Sequence, residues 1–416
     1  MKEVRIMGND LTKGAQRVVA DLRELAELTS NEQGAQRVAW TPTWQKARDW
    51  FADKAREAGA EVTVDTAGNS WAKIAGESTD AVAIGSHLDC VPNGGWLDGA
   101  LGTVVTLEVL RRYGKGSIPK KTIYAVSWAD EEGARFGRSL MGSSAASGTL
   151  DIADIIDRVD NQDVKLTDAL AVYNVIVDDM LRAHEEFKQK NITEFMELHI
   201  EQGPVLENMK KQVACVYGVT GVERHYIDFK GQAAHAGSFP TLMRQDAFLA
   251  AAQASLAFKE IALKYDGVCT VGKVSVTPDV VTIVPETCRI SLDQRSIDQA
   301  VLKSMNDDAR AVSAKAASDQ SVVVNWEKIW TIAPTMFDAR LTELCKQAVE
   351  EETGEPTTIF SGPLHDAAEM AKIVPSILMF AMSARGLSHC QQEDTPDEAV
   401  ETAVRAFLRL VDKVIQ

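Results

Sequence analysis

Four short apolar runs, each ending at a cluster of histidines and acids, constrain this chain more than any other feature. They are AVAIG at 81–85, KTIYAVSW at 121–128, TEFMELHI at 193–200 and the run ILMFAM within 375–382. None alternates polar with apolar residues, which is the pattern of a strand buried on both faces. Stretches of helical periodicity lie before and between them, at 11–29, 42–59, 99–113 and 338–353. In the second of these, Trp44, Ala47, Trp50, Phe51 and Ala55 recur at helical spacing and read as a core face. Strands and helices in this order predict an α/β fold: a central, mostly parallel sheet with flanking helices.

Between about 214 and 328 the pattern changes. Strands alternate more, turn residues are frequent, and the order becomes β-α-β-β-α-β, with helices at 244–263 and 298–318. This predicts a small α+β domain inserted into a larger one made of residues 1–213 and 329–416. Residues 151–192 are polar and helical in pattern, without evident chemistry.

Composition narrows the function classes. Lys and Arg number 44 against 60 Asp and Glu, a formal charge of −16, which disfavours nucleic acid as a partner. The six cysteines are scattered without a CxxC pair, as expected of reduced thiols in a cytoplasmic protein. Met1 to Lys13 mixes charges without an apolar run, so no signal peptide is expected, and no apolar run is long enough to span a bilayer.

The polar clusters carry the chemistry. His87, Asp89 and Asp98 follow the first run, Asp130, Glu131 and Glu132 the second, His199 ends the third, and Ser388 and His389 follow the fourth. Ligands of open α/β sheets bind outside the carboxyl ends of the strands, so these clusters should converge on one crevice. Imidazoles and carboxylates without a cysteine pair suit zinc, manganese, cobalt or nickel. Five such groups exceed what one tetrahedral ion needs, whereas two ions sharing a carboxylate would use them all. Asp89, two residues beyond His87, is placed to hold the second nitrogen of that imidazole. Of the adjacent Glu131 and Glu132, one can ligate while the other faces a water as general base. His365, beside Asp366, is either a structural pair or an outer group of the site. His235 in GQAAHAG and Arg295 after Asp293 lie in the insert, where an Arg makes a surface ion pair or clamps a carboxylate.

GSHLD, VPNGGWLDGALG, EEGARFG, GSSAASG, ELHIEQGP, GQAAHAG, RQDA and SGPLHDA together resemble the group of N-carbamoyl-L-amino-acid hydrolases, allantoate amidohydrolases and β-ureidopropionases. That group belongs to the aminoacylase and glutamate carboxypeptidase superfamily. The resemblance runs in order from about residue 16 to the C-terminus. It implies two divalent ions per subunit (Zn, Mn, Co or Ni). His87, Asp98 and His199 would hold one, with Asp98 bridging to a second held by Glu132 and His389. It further implies Glu131 as general base, Asp89 orienting His87, and His235 reaching from the partner subunit's lid to the oxyanion. Gln202 and Arg295 would contact the substrate, Arg295 through its carboxylate. The insert would be a lid through which two subunits pair as a homodimer. The implied reaction is hydrolysis of a linear C–N bond, foremost the ureido group of an N-carbamoyl-L-amino acid. Allantoate or an N-acyl amino acid are the alternatives, and a metal-binding protein without activity is the non-enzymatic one.

The chain departs from the group's pattern at several positions. Thr282 stands where an Asn contacts substrate, and Pro363 and Leu364 where small residues are usual. Trp96 lies in the NGG loop, and Cys90 and Cys390 flank proposed site residues. The expectation is an intact metal and base set with an altered pocket, taking a substrate bulkier or more apolar than allantoate. The two flanking cysteines raise the further expectation that the metal-free protein is sensitive to oxidation.

Overall fold

The computed structural model describes residues 2–114 and 118–415. Residues 1 and 416, the ends of the expected outer domain, lie outside that range. The chain forms two compact units, Met1–Tyr217 with Phe337–Gln416, and Gly218–Met336.

In the larger unit the sheet runs in the order Val213–Val219, Ser376–Ala381, Ile192–Ile200, Ser78–His87, Lys121–Trp128, Ser70–Ile74, Glu61–Val64, and Thr358–Ser361 also pairs with the first strand. The four strands carrying the apolar runs lie side by side and parallel. The flanking pairs are antiparallel, so the sheet is mixed rather than mostly parallel. Connection length accounts for one pair of each kind. A helix, Ala100–Gly114, separates Ser78–His87 from Lys121–Trp128, and such crossovers return strands parallel. Glu61–Val64 and Ser70–Ile74 are instead joined by a tight turn, in which the Asp65 carboxylate accepts from the Ala67 and Asn69 amides. The first helix starts at Lys2, ahead of the expected 11. Helix Pro42–Glu57 begins with Thr41 accepting from the Trp44 amide and Pro42 in its first turn. It buries Trp44, Ala47, Phe51 and Ala55, while Trp50 lies at its rim and donates to Glu24. Residues 151–192 hold only short helical pieces, packed over a cluster that includes Trp40, Trp44, Met141 and Met180.

The smaller unit is an antiparallel sheet in the order Val268–Thr270, Thr287–Ser296, Gly221–Lys230, Val323–Ile332, with Val274–Thr277 also on the second strand. Helices Ala247–Tyr265 and Gln299–Asp319 pack on it over Ile227, Phe229, Phe258, Ile290, Leu292 and Met305. Asp246 and Asp298 cap these helices through two amides each. Two expectations shift. The run 280–297 is broken by Pro285 into Ile283–Val284 and Thr287–Ser296. The last strand runs to Ile332, paired there with Val222, so this unit ends at Met336 rather than near 328. At the other boundary, Val213–Val219 pairs with Ser376–Ala381, which keeps its first residues in the larger unit.

Candidate metal centre

Because the four central strands are parallel, their carboxyl ends share one edge. His87 ends its strand, His199 stands one residue before the end of the next, and the loops after Trp128 and Ala381 bring Glu131, Glu132 and His389. Asp98 enters from the loop ahead of Ala100–Gly114. That loop can pass against the His87 ring only because residue 99 is glycine. Its φ is +63°, and a Cβ there would lie 2.3 Å from the imidazole Cε1.

Asp98 is the centre of the arrangement. Its Oδ1 lies 3.6 Å from His87 Nε2 and 3.2 Å from His199 Nε2. Its Oδ2 lies 3.2 Å from His389 Nε2, which is 3.4 Å from Glu132 Oε2. The ligating atoms of His87, Asp98 and His199 fall within 4.8 Å of one another, as do those of Asp98, Glu132 and His389. His87 Nδ1 is 3.0 Å from the Asp89 carbonyl and His199 Nδ1 is 2.9 Å from the Ile200 carbonyl. With a divalent cation bound, the Nδ1 protons held by these carbonyls would leave both Nε2 lone pairs to face it.

Electrostatics point the same way. Burial, reinforced by Asp366 and Glu132, pushes the Glu131 carboxyl well above its ordinary range, and burial with Asp98 does the same to Glu132. Burial pulls His87 down to about 4. Burial opposes the charge on Asp98, yet bonds from His199 and His389 hold its carboxyl well below the usual value. So many buried acids around three imidazoles are costly unless a cation neutralises them. Glu132 Oε1 is buried without a hydrogen-bond partner. The donors are imidazole nitrogen and carboxylate oxygen throughout, and the set fits divalent cations.

Glu131 is buried at this centre, its Oε2 3.7 Å from His87 Nε2. The Asp89 carboxylate does not hold His87, as expected from the sequence, but lies 3.8 Å from its Nδ1. It accepts instead from the backbone amides of Glu131 and Glu132, at 3.3 and 3.1 Å. The chain at Asp89 turns so that its carbonyl takes the imidazole and its side chain fixes the loop of the two glutamates. Gln202, expected at the substrate, donates to Asp98 Oδ2 at 2.8 Å. Leu364 is half-buried beside His365. Trp96 lies under the Arg23 guanidinium, 3.8 Å from the ring centre, and donates to Asp394. These contacts account for Trp96 as a clasp between the first helix and the 394 loop. Cys90 is buried, and burial pushes its thiol up to about 11, which lowers its thiolate fraction.

Two groups lie outside the sequence-based expectation. Glu197 stands two residues before His199 on the same side of its strand and accepts from Ser86 and the Ala367 amide. With His199 and His365, whose rings lie 4.4 Å apart, it forms a third set of metal-type ligands. Both Glu197 oxygens are already engaged, so this set is a layer behind His199. The period-two spacing from His199 is the signal that marks it. Glu393 is the second and carries no such signal.

In the smaller unit, His235 pairs with Ile283, and the Ala236 amide donates to the Thr282 carbonyl. His235 Nδ1 accepts from the Gly237 and Ser238 amides, at 3.0 and 3.1 Å. The neutral ring therefore holds its proton on Nε2, at an exposed position. Arg295 donates through Nε to Asp293, which also takes Arg224.

The sequence profile of peptidase family M20/M25/M40 matches residues 83–413. The chain belongs to this family. It is a hydrolytic enzyme acting on amide bonds. An N-carbamoyl-L-amino acid amidohydrolase of Geobacillus stearothermophilus is 33% identical over 401 residues, covering 95% of this chain and 97% of the relative. Allantoate deiminase 1 of Glycine max is 27% identical, over 95% and 89%. A hydantoinase/carbamoylase family amidase from Burkholderia ambifaria superposes with a TM-score of 0.87 at 30% identity, over 97% and 98% of the two chains. Among the described residues no helix is long and apolar enough to cross a membrane.

Proposed function

We propose that this family member hydrolyses the ureido group of an N-carbamoyl-L-amino acid, giving the amino acid, CO2 and ammonia. The observation that carries the reading is Asp98, with two imidazoles on one oxygen and His389 beside Glu132 on the other. In this reading His87, Asp98 and His199 hold one divalent ion, and Asp98, Glu132 and His389 a second. When bound, such ions polarise a carbonyl and lower the pKa of a water. Glu131 takes the proton of the attacking water and delivers it to the leaving nitrogen. The partner subunit's His235 would offer its Nε2 proton to the developing oxyanion, a donor role that elsewhere is worth about 10²–10³ in kcat. By the resemblance to the group, Arg295 would take the substrate carboxylate.

The test is release of ammonia and amine by metal-loaded protein. The substrates are N-carbamoyl-L-amino acids of graded size, their D-forms, allantoate, N-carbamoyl-β-alanine and N-acetyl amino acids. Ammonia released with an amino acid, and faster for larger apolar side chains, is the expected result. Allantoate as the best substrate, or amine from the acetyl series without ammonia, overturns it. Arg295→Ala should raise KM by roughly 10–100-fold with kcat largely kept, the loss of a charged hydrogen bond.

We also propose that Gly218–Met336 pairs two copies of the chain. Helix Ala247–Tyr265 exposes Leu249, Leu256 and Leu263 at two-turn intervals along one face, Leu256 by 73% and Leu263 by 67%. Light scattering should find a dimer for the wild type and a monomer for Leu256→Asp; a monomeric wild type or a dimeric variant rejects the pairing.

A further inference from the structure

Glu393 belongs to no strand or helix, yet it is only 2% exposed, held between two loops far apart in sequence. Its Oε1 accepts from the backbone amides of Leu97 and Asp98, both at 3.0 Å. Its Oε2 accepts from the Ser388 hydroxyl at 2.7 Å, and that hydroxyl also lies 3.0 Å from Asp98 Oδ2. One carboxylate thereby fixes the backbone of the residue at the centre of the site and the residue next to His389. The fit leaves no room for variation on the other side: a Cβ at Gly95 would lie 2.0 Å from the Glu393 carboxyl carbon.

We infer that Glu393 is a positioning residue that sets the distance between Asp98 and His389, and so builds the second of the two cation sites. The assignment rests on the dinuclear reading above. Three donors on one buried carboxylate explain why an acid is tolerated beside Asp98. An outer group of this kind acts through the ligands it aims, and its loss elsewhere costs roughly 10–100-fold in metal affinity. A glutamine can reproduce the tie, its oxygen on the two amides and its NH2 on the Ser388 oxygen. An alanine cannot.

Metal-free wild type, Glu393→Gln and Glu393→Ala would be titrated with Mn(II) against a chromophoric chelator, and the loaded proteins examined by electron paramagnetic resonance. Expected are two ions and a spin-coupled pair in the wild type and in Glu393→Gln. In Glu393→Ala one ion should bind roughly 10–100-fold more weakly and the coupled signal give way to isolated Mn(II), while metal-free melting stays within a few degrees. If Glu393→Ala does not fold, Glu393→Asp serves, since its shorter arm cannot span both loops. An alanine or aspartate variant that binds the coupled pair as tightly as wild type overturns the assignment alone, as does a glutamine variant that fails as fully as alanine. A wild type that takes up no pair overturns the dinuclear reading and this assignment with it.

Discussion

Glu131→Gln should lower kcat by roughly three orders of magnitude or more while leaving metal content unchanged, general-base contributions being on the order of 10²–10⁴. The substitution is nearly isosteric and the loop around it is fixed by backbone bonds. The Glu131 amide donates to Asp89, and its carbonyl accepts from the Leu140 amide. The amide side chain keeps the shape and loses the basic lone pair, so only proton transfer is removed. His87, Asp98, Glu132, His199 and His389 are untouched. Steady-state kinetics paired with metal analysis check this. Activity within tenfold of wild type would place the base elsewhere, and loss of metal would make Glu131 a ligand rather than a base.

Much of this site is legible in the sequence because of one geometric fact. Parallel strands buried on both faces end at a common edge, so a polar cluster after each of four apolar runs can be assigned to one crevice from the order of residues alone. The same logic fails where contacts run from loop to loop. Glu393 meets Leu97 and Asp98 across almost three hundred residues of sequence, and no periodicity encodes that. Asp89 departs from expectation for a related reason. Counting residues along an extended chain aims its side chain at His87, but the strand stops at His87 and the turn swings the carboxylate toward the glutamate loop. The antiparallel flanks of the sheet leave a weaker trace, because a tight turn such as that at Asp65 marks a break between elements without giving the direction of the strands it joins. The strand Val323–Ile332 carries the insert past its expected end near 328 because a bulge between Lys328 and Trp330 breaks its alternation there.

Asp98→Ala should have the second large effect, and of a different kind: loss of turnover together with loss of bound metal. Among the described residues Asp98 is the group shared by these two ligand sets, its Oδ1 facing His87 and His199 and its Oδ2 facing His389. Alanine removes a ligand from each set at once, whereas His87→Ala or His389→Ala removes one from a single set. Calorimetric melting separates the cases. Metal that binds only the folded protein at about 100 times its Kd stabilises it by about 2.7 kcal/mol, so the wild type should melt higher on addition of Zn(II) or Mn(II). Asp98→Ala should show no such rise, and His389→Ala a reduced one. The metal-free Asp98→Ala protein should itself melt lower than metal-free wild type, because the bonds that hold the Asp98 carboxyl ionised also hold His199 and His389 near a pKa of about 9. Those raised values stabilise the fold below the ordinary histidine value and lose their effect as pH climbs through about 9. The deficit of the variant should therefore be largest in mildly acidic buffer and shrink above a pH of about 9. A variant that still melts higher with metal, as far as wild type does, would show that Asp98 does not join the two ligand sets.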